Sequence, residues 1–359
     1  MADPVFRLHA HCIPVRGARR STVCDLQRHA YHLIPNGLYE ILTTHRDHTR
    51  AEIHAAYGPG AGPVVDEYFA FLETHELGWW CDEPERFPPM SLEWDAPSRV
   101  TNAIVDVDQG SRHDFASLVA QLEALGCKTL QLRYFAPVPL DEVERVVALA
   151  DQGRLRSVEL IVPWQPSFTD EALWGVCRRH PRLLSVFVHG APQRRVATLP
   201  NFSNTVVFRT EVVDSEAHCG QVHPAYFVTS LSAFTEALAH NSCLNRKLSV
   251  DRNGDIRNCP SMPDSFGNAA RTPLAEALEH PAFRRLWGIT KDQVETCRDC
   301  EFRYVCTDCR AYLRDPADPL SKPARCAYDP YQAKWDDAAP PAAAPTASRP
   351  ARVPAGAGA

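Results

Sequence analysis

Long hydrophobic runs are missing from this 359-residue chain. Nothing approaches the roughly 18 consecutive apolar residues that cross a bilayer, so no membrane association is expected. The opening MADPVFRLHAHCIPV lacks the basic start and apolar stretch of a signal peptide, and the expected location is the cytoplasm. A basic surplus is missing too. The 38 Lys and Arg stand against 44 Asp and Glu, a net charge of −6, which weighs against nucleic acid as the main partner. There is no Gly-rich phosphate loop, Ser–His–Asp grouping or ATP-grasp signature, so no catalytic residue is assigned and any ATP chemistry belongs to a partner. Disorder is excluded by composition: 45% hydrophobic residues, with 15 Phe and 7 Trp, are enough to build a large core.

Cysteine is what the chain has in plenty. Seven of its 13 cysteines lie between Cys243 and Cys326. Disulfides are rare in a reducing cytosol, so clustered cysteines there point to metal ligands or catalytic thiols. The other six are scattered, and most read as small buried hydrophobes.

Patterning divides the chain into four stretches. Residues 1–86 hold three strand-like segments, Phe6 to Val15, Ser21 to Leu26 and Ala30 to Ile34, followed by three helices. The helices are Leu38 to His45, one capped by Thr49, and Val64 to Leu77 with Val64, Tyr68, Phe71, Leu72 and His75 on one face. This order predicts a small winged-helix-like module. Its third strand (Ala30, Tyr31, His32, Leu33, Ile34) is placed to accept an extended peptide as an added strand, with the third helix as the other groove wall. A DNA-binding winged helix is the alternative, resting on Arg16, Arg19, Arg20 and Arg28. Residues 87–235 alternate strands starting near Ala103, Thr129, Val158, Leu184 and Thr205 with helices Phe115 to Leu125, Asp141 to Ala150 and Asp170 to Arg179. That is a βα repeat, hence α/β class with a parallel sheet or partial barrel. Asp106 and Asp108 end its first strand, as acid–base groups or as loop and helix caps. Residues 236–335 are cysteine-rich, and 336–359 form an Ala/Pro-rich tail expected to be disordered.

The cysteines follow Cys243-x10-Gly254-x4-Cys259, then Cys297-x2-Cys300-x5-Cys306-x2-Cys309, then Cys326. A CxxC pair puts two thiolates on one turn, able to grip one metal centre. Zinc would use four ligands and leave Cys243, Cys259 and Cys326 unexplained. Seven thiolates suit two iron–sulfur clusters better, each wanting about four ligands. Asp251 to Gly254 reads as a hairpin turn that brings Cys243 and Cys259 together. Cys219, beside Gly220, is the nearest thiol that can complete a set of four. His218 and His223 are weaker ligands for such a cluster.

This spacing resembles the SPASM domain of radical-SAM peptide maturases, with two residues, Thr307-Asp308, where that family usually has three. The segments Cys12 to Arg20, Cys24 to Arg28, Ile34 to Ile41, Asn241 to Lys247 and Asn258 to Met262 extend the similarity over about residues 5–335, to the grasp-with-spasm SPASM-domain peptide maturases. The resemblance implies one 4Fe–4S cluster on Cys297, Cys300, Cys306 and Cys326. It implies a second on Cys243, Cys259 and Cys309, and an N-terminal module that binds a leader peptide. It further implies work on a ribosomally made precursor peptide beside an ATP-grasp ligase. Radical-SAM enzymes also carry Cys-x3-Cys-x2-Cys after the first barrel strand and a Gly-Gly-Glu after the second. Here those places read Gln109 to Asp114 and Leu132 to Val138, so a barrel without its SAM cluster is expected and no SAM site is assigned. The alternatives are a redox maturase using the two clusters directly, and a zinc-containing winged-helix DNA-binding regulator.

Overall fold

A computed structural model describes residues 3–58, 60–198 and 204–336; the tail expected to be disordered lies outside them from residue 337 onward. The N-terminal strands are β1 (Val5–Leu8), β2 (Cys12–Val15), β3 (Ser21–Asp25) and β4 (Ala30–Ile34). The single strand expected over Phe6 to Val15 is two, because the chain turns where the Cys12 N–H donates to the His9 carbonyl at 2.8 Å. β2, β3 and β4 form one antiparallel sheet, with β4 at an edge. β1 leaves it to pair with β5 (Gly78–Cys81). A Cβ at Gly78 would lie 2.1 Å from the Arg7 carbonyl oxygen, so this pairing needs glycine.

Helices α1 (Asn36–Thr44), α2 (Arg50–Tyr57) and α3 (Gly62–Thr74) cover this unit. α2 starts with a capping box: Thr49 Oγ1 accepts from the Glu52 N–H, and Glu52 accepts from the Thr49 N–H. The buried face of α3 is Val65, Phe69 and Leu72, one residue on from the face expected around Val64, which is 46% exposed. These side chains close a core with Phe6, Val23, Ile34 and Leu38.

The larger body is built on β6 (Asn102–Val107), α4 (Phe115–Ala124), β7 (Thr129–Tyr134), α5 (Leu140–Asp151), β8 (Ser157–Pro163), α6 (Asp170–Arg179), β9 (Leu183–His189), β10 (Arg195–Thr198) and β11 (Thr205–Phe208). After α7 (Leu231–Ala239), β12 (Lys247–Val250) and β13 (Ile256–Arg257) join the same sheet. Its order, β10-β11-β9-β8-β7-β6-β12-β13, describes an open eight-stranded sheet, parallel except at its two ends. β12 lies in the cysteine-rich stretch yet pairs in parallel with β6, so one sheet runs across the boundary drawn at residue 235.

One face of the sheet is apolar. Val105, Leu132, Leu160 and Val186 lie under α4 to α6 in the main core, which α8 (Leu274–Glu279) extends. The other face carries buried polar groups: Asp106, Gln131, Arg133 and His189. Two short strands, β14 (Tyr328–Asp329) and β15 (Lys334–Trp335), close the described chain. None of the described helices is long and apolar enough to cross a membrane.

His189 gives the fold a pH dependence. Its Nδ1 accepts from the Val213 N–H and its Nε2 faces the Tyr134 carbonyl, both at 3.2 Å, which fits a neutral ring. Burial lowers its pKa below the ordinary 6.5. The unfolded chain therefore takes up the proton first, and this group's stabilisation is fully present above about pH 6.5 and lost as pH falls toward the folded value. His189→Gln, able to keep both hydrogen bonds, should flatten the acid limb of a plot of urea midpoint against pH. An unchanged limb would refute the assignment.

Candidate metal centres

The eight singled-out thiols fall into two places. Cys297, Cys300, Cys306 and Cys326 line one cavity, with Lys291 and Phe302 among its other walls. Cys219, Cys243, Cys259 and Cys309 line a second, of about 390 Å³, which also reaches Glu159 and Lys247. Cys243 precedes β12 and Cys259 follows β13, so the β12–β13 hairpin brings them to one end. Its turn is tied by Asp251 Oδ1, which accepts from the Asn253 and Asp255 N–H groups, each at 2.9 Å. Gly254 there has φ +87°. Gly220 has φ +81°, and a Cβ on it would lie 2.8 Å from Cys309 Sγ. A side chain at 220 would push into the second set of thiols.

Each place holds a buried lysine. Lys247 Nζ donates to Cys243 Sγ at 3.4 Å, and Lys291 Nζ to Cys306 Sγ at 3.0 Å. Burial works to lower both lysines, but attraction to the neighbouring sulfurs in their thiolate form, with Asp308 also acting on Lys291, outweighs it and raises both pKa values. Burial pushes the thiols up, Cys297 and Cys309 to about 11 and Cys259 to about 12. Such thiols stay protonated at neutral pH unless a metal displaces the proton. Four soft donors per cavity, with an ammonium to offset anionic charge, fit an iron–sulfur cluster in donor type and number. The two lysines were not singled out in the sequence, because only tertiary packing turns their charged ends inward onto sulfur.

The first cavity abuts the N-terminal sheet. The β2–β3 turn docks on the loop between Cys297 and Cys306: the Ala18 N–H donates to the Asp299 carbonyl at 2.7 Å, and Thr22 Oγ1 to the Glu301 carbonyl at 3.0 Å. A Cβ on Gly17 would lie 2.8 Å from Glu301 Cβ. Arg20 Nε bonds the fully buried Glu301 carboxylate at 2.8 Å, and Tyr328 Oη donates to the same oxygen. Arg28 pairs with Glu76 at 2.8 Å and lies 3.4 Å from Asp25. Two of the four arginines behind the DNA-binding alternative, Arg20 and Arg28, thus have carboxylate partners.

The five β4 residues do not make one surface. Tyr31 packs on Phe302, ring centroids 5.4 Å apart, and Ile34 is in the module core. His32 faces His75 of the α3 end at 4.9 Å, and Leu33 is 42% exposed. Among the described residues β4 pairs with β3 alone. Asp106 is held by Arg133 through two hydrogen bonds of 2.6 and 2.7 Å, both side chains buried. Asp108 ties its own loop, accepting from the Gly110 N–H at 2.8 Å. His218 bonds Asp214 at 2.9 Å, and His223 accepts from the Ala225 N–H at 3.2 Å.

Residues 242–301 match the model of the SPASM iron–sulfur cluster-binding domain. The match takes in Cys243, Cys259, Cys297 and Cys300, and it supports iron–sulfur cluster binding by this part of the chain. Among curated proteins, none matches the chain.

Proposed function

We propose, from an iron–sulfur domain as premise, that this protein carries two 4Fe–4S clusters and serves the maturation of a ribosomally made peptide. The observation that carries the two-cluster part is the division of eight thiols into two cavities of four. Cys297, Cys300, Cys306 and Cys326 hold one cluster; Cys243, Cys259, Cys309 and Cys219 hold the other. Bound clusters supply one-electron transfer. Lys247 and Lys291 offset charge on the thiolates, and the carbon-rich packing of Phe302 and Tyr328 keeps water from the first site. The leader of the precursor adds to the free edge of β4, against His32, Leu33 and the C-terminal end of α3, and an ATP-grasp ligase works alongside. A redox maturase acting directly at the second cluster is the second reading, favoured by the 390 Å³ cavity, which joins four thiols to Glu159.

The test uses the full chain and fluorescent synthetic peptides encoded by short open reading frames beside its gene. Anisotropy should give a Kd of about 1 μM, near −8 kcal/mol, for one of them. Leu33→Asp, at an exposed position, should weaken that binding at least about tenfold, or ~1.4 kcal/mol. Failure of every such peptide to bind, or equal binding by the variant, removes the leader role from β4.

A further inference from the structure

A second kind of metal site lies in the N-terminal module and uses none of the eight cluster thiols. His11, Cys12 and Asp25 each offer one ligand atom, and the three atoms lie within 4.8 Å of one another. The β2–β3 pairing sets Cys12 directly opposite Asp25. Cys12 is 2% exposed and Asp25 fully buried. His11 Nε2 stands 3.5 Å from Asp25 Oδ1, and its ring keeps 25% of its surface open. Donors about 3–4 Å apart are what tetrahedral coordination requires, given metal bonds of about 2.0 Å to nitrogen or oxygen and 2.3 Å to sulfur.

We propose that His11, Cys12 and Asp25 bind one zinc-class divalent ion. Thiolate, imidazole and carboxylate together form the borderline donor set that such ions take. On binding, the Cys12 thiol loses its proton to solvent, the sulfur bonds the metal, and a water fills the fourth position. Thiolate and carboxylate then balance the two positive charges, which keeps a buried site neutral. Asp25 also accepts from the Gln27 and Arg28 N–H groups, at 3.1 and 2.9 Å. These bonds hold its carboxylate in place, as outer partners of a ligand do. The Arg28 guanidinium, 3.4 Å from Oδ2, has its stronger partner in Glu76 at 2.8 Å, so it does not fill the site. The ion would clip β2 to β3 one turn before β4, fixing the strand proposed to meet the peptide. The site itself stands or falls independently of that reading.

The experiment titrates Co²⁺ into the full chain after anaerobic cluster reconstitution. One further equivalent should bind with a sulfur-to-cobalt charge-transfer band, and one equivalent of Zn²⁺ should erase it. Cys12→Ser should lose the band. His11→Ala, at a part-exposed position, should weaken Zn²⁺ binding by at least the ~10–100-fold typical of losing a mere outer partner. Iron content should match wild type in both variants. If Cys12→Ser also loses iron it has misfolded, and His11→Ala alone decides. A band and a Zn²⁺ affinity unchanged in His11→Ala, or no cobalt bound beyond the cluster thiols, overturns the proposal.

Discussion

Cys300→Ser is expected to leave anaerobically reconstituted protein with about four iron atoms per chain instead of about eight. Cys300 stands in the first cavity only, so the second site should keep its iron and its EPR signal. Cys219→Ala carries the complementary prediction. Cys219 lines the second cavity with Cys243, Cys259 and Cys309. Its removal leaves three thiolates for a cluster that takes about four, so that cluster's EPR signal should change or up to about four iron should go. The signal surviving in Cys300→Ser and the one altered in Cys219→Ala must be the same. Full iron and an unchanged spectrum in Cys219→Ala would make Cys219 an ordinary thiol. Stoichiometric zinc with negligible sulfide in the wild type would sink the two-cluster proposal itself.

Arg133→Met should destabilise the chain by about 3–5 kcal/mol, since it leaves Asp106 buried without its partner. Burial already pushes the Asp106 carboxyl above its usual range, with Arg133 working against that shift. For Arg133, burial acts downward, but the attraction and hydrogen bonds of Asp106 prevail and keep it charged. The pair lies on the polar face of the sheet, between β6 and β7. Asp106→Leu combined with Arg133→Met removes both charges and should recover most of the loss. Urea unfolding of the four proteins in one double-mutant cycle reads the coupling. A single variant within about 0.5 kcal/mol of wild type would mean water reaches the pair.

The βα portion was legible because its signal is local. Apolar runs such as Ala103 to Val107 and Leu130 to Tyr134, separated by capped helices, carry their own period. The break at His9–His11 was not legible, since apolar residues continue on both sides and only the pairing of β1 with β5 separates them. β12 was hidden for the same reason: Lys-Leu-Ser-Val reads equally as a hairpin arm or as a sheet strand. α7 was not singled out in the sequence, although Ser230 caps it by accepting from the Ala233 N–H. Spacing reveals that Cys297 and Cys300 are neighbours. It does not reveal that Cys309 lines one cavity with Cys243 while Cys306, three residues earlier, lines the other with Cys326; packing decides that.

The parallel pairing of β6 with β12 bears on how the chain is made. While it is being synthesised, β6 emerges with its β7 side soon filled but its other edge bare until residues 247–250 follow. At ~5–20 residues per second that delay is on the order of ten seconds. For that time an apolar strand, Asn102–Val107, offers an open hydrogen-bonding edge to any other nascent chain. Aggregation during expression should therefore depend on translation speed between β6 and β12, and a ribosomal pause placed there would raise it.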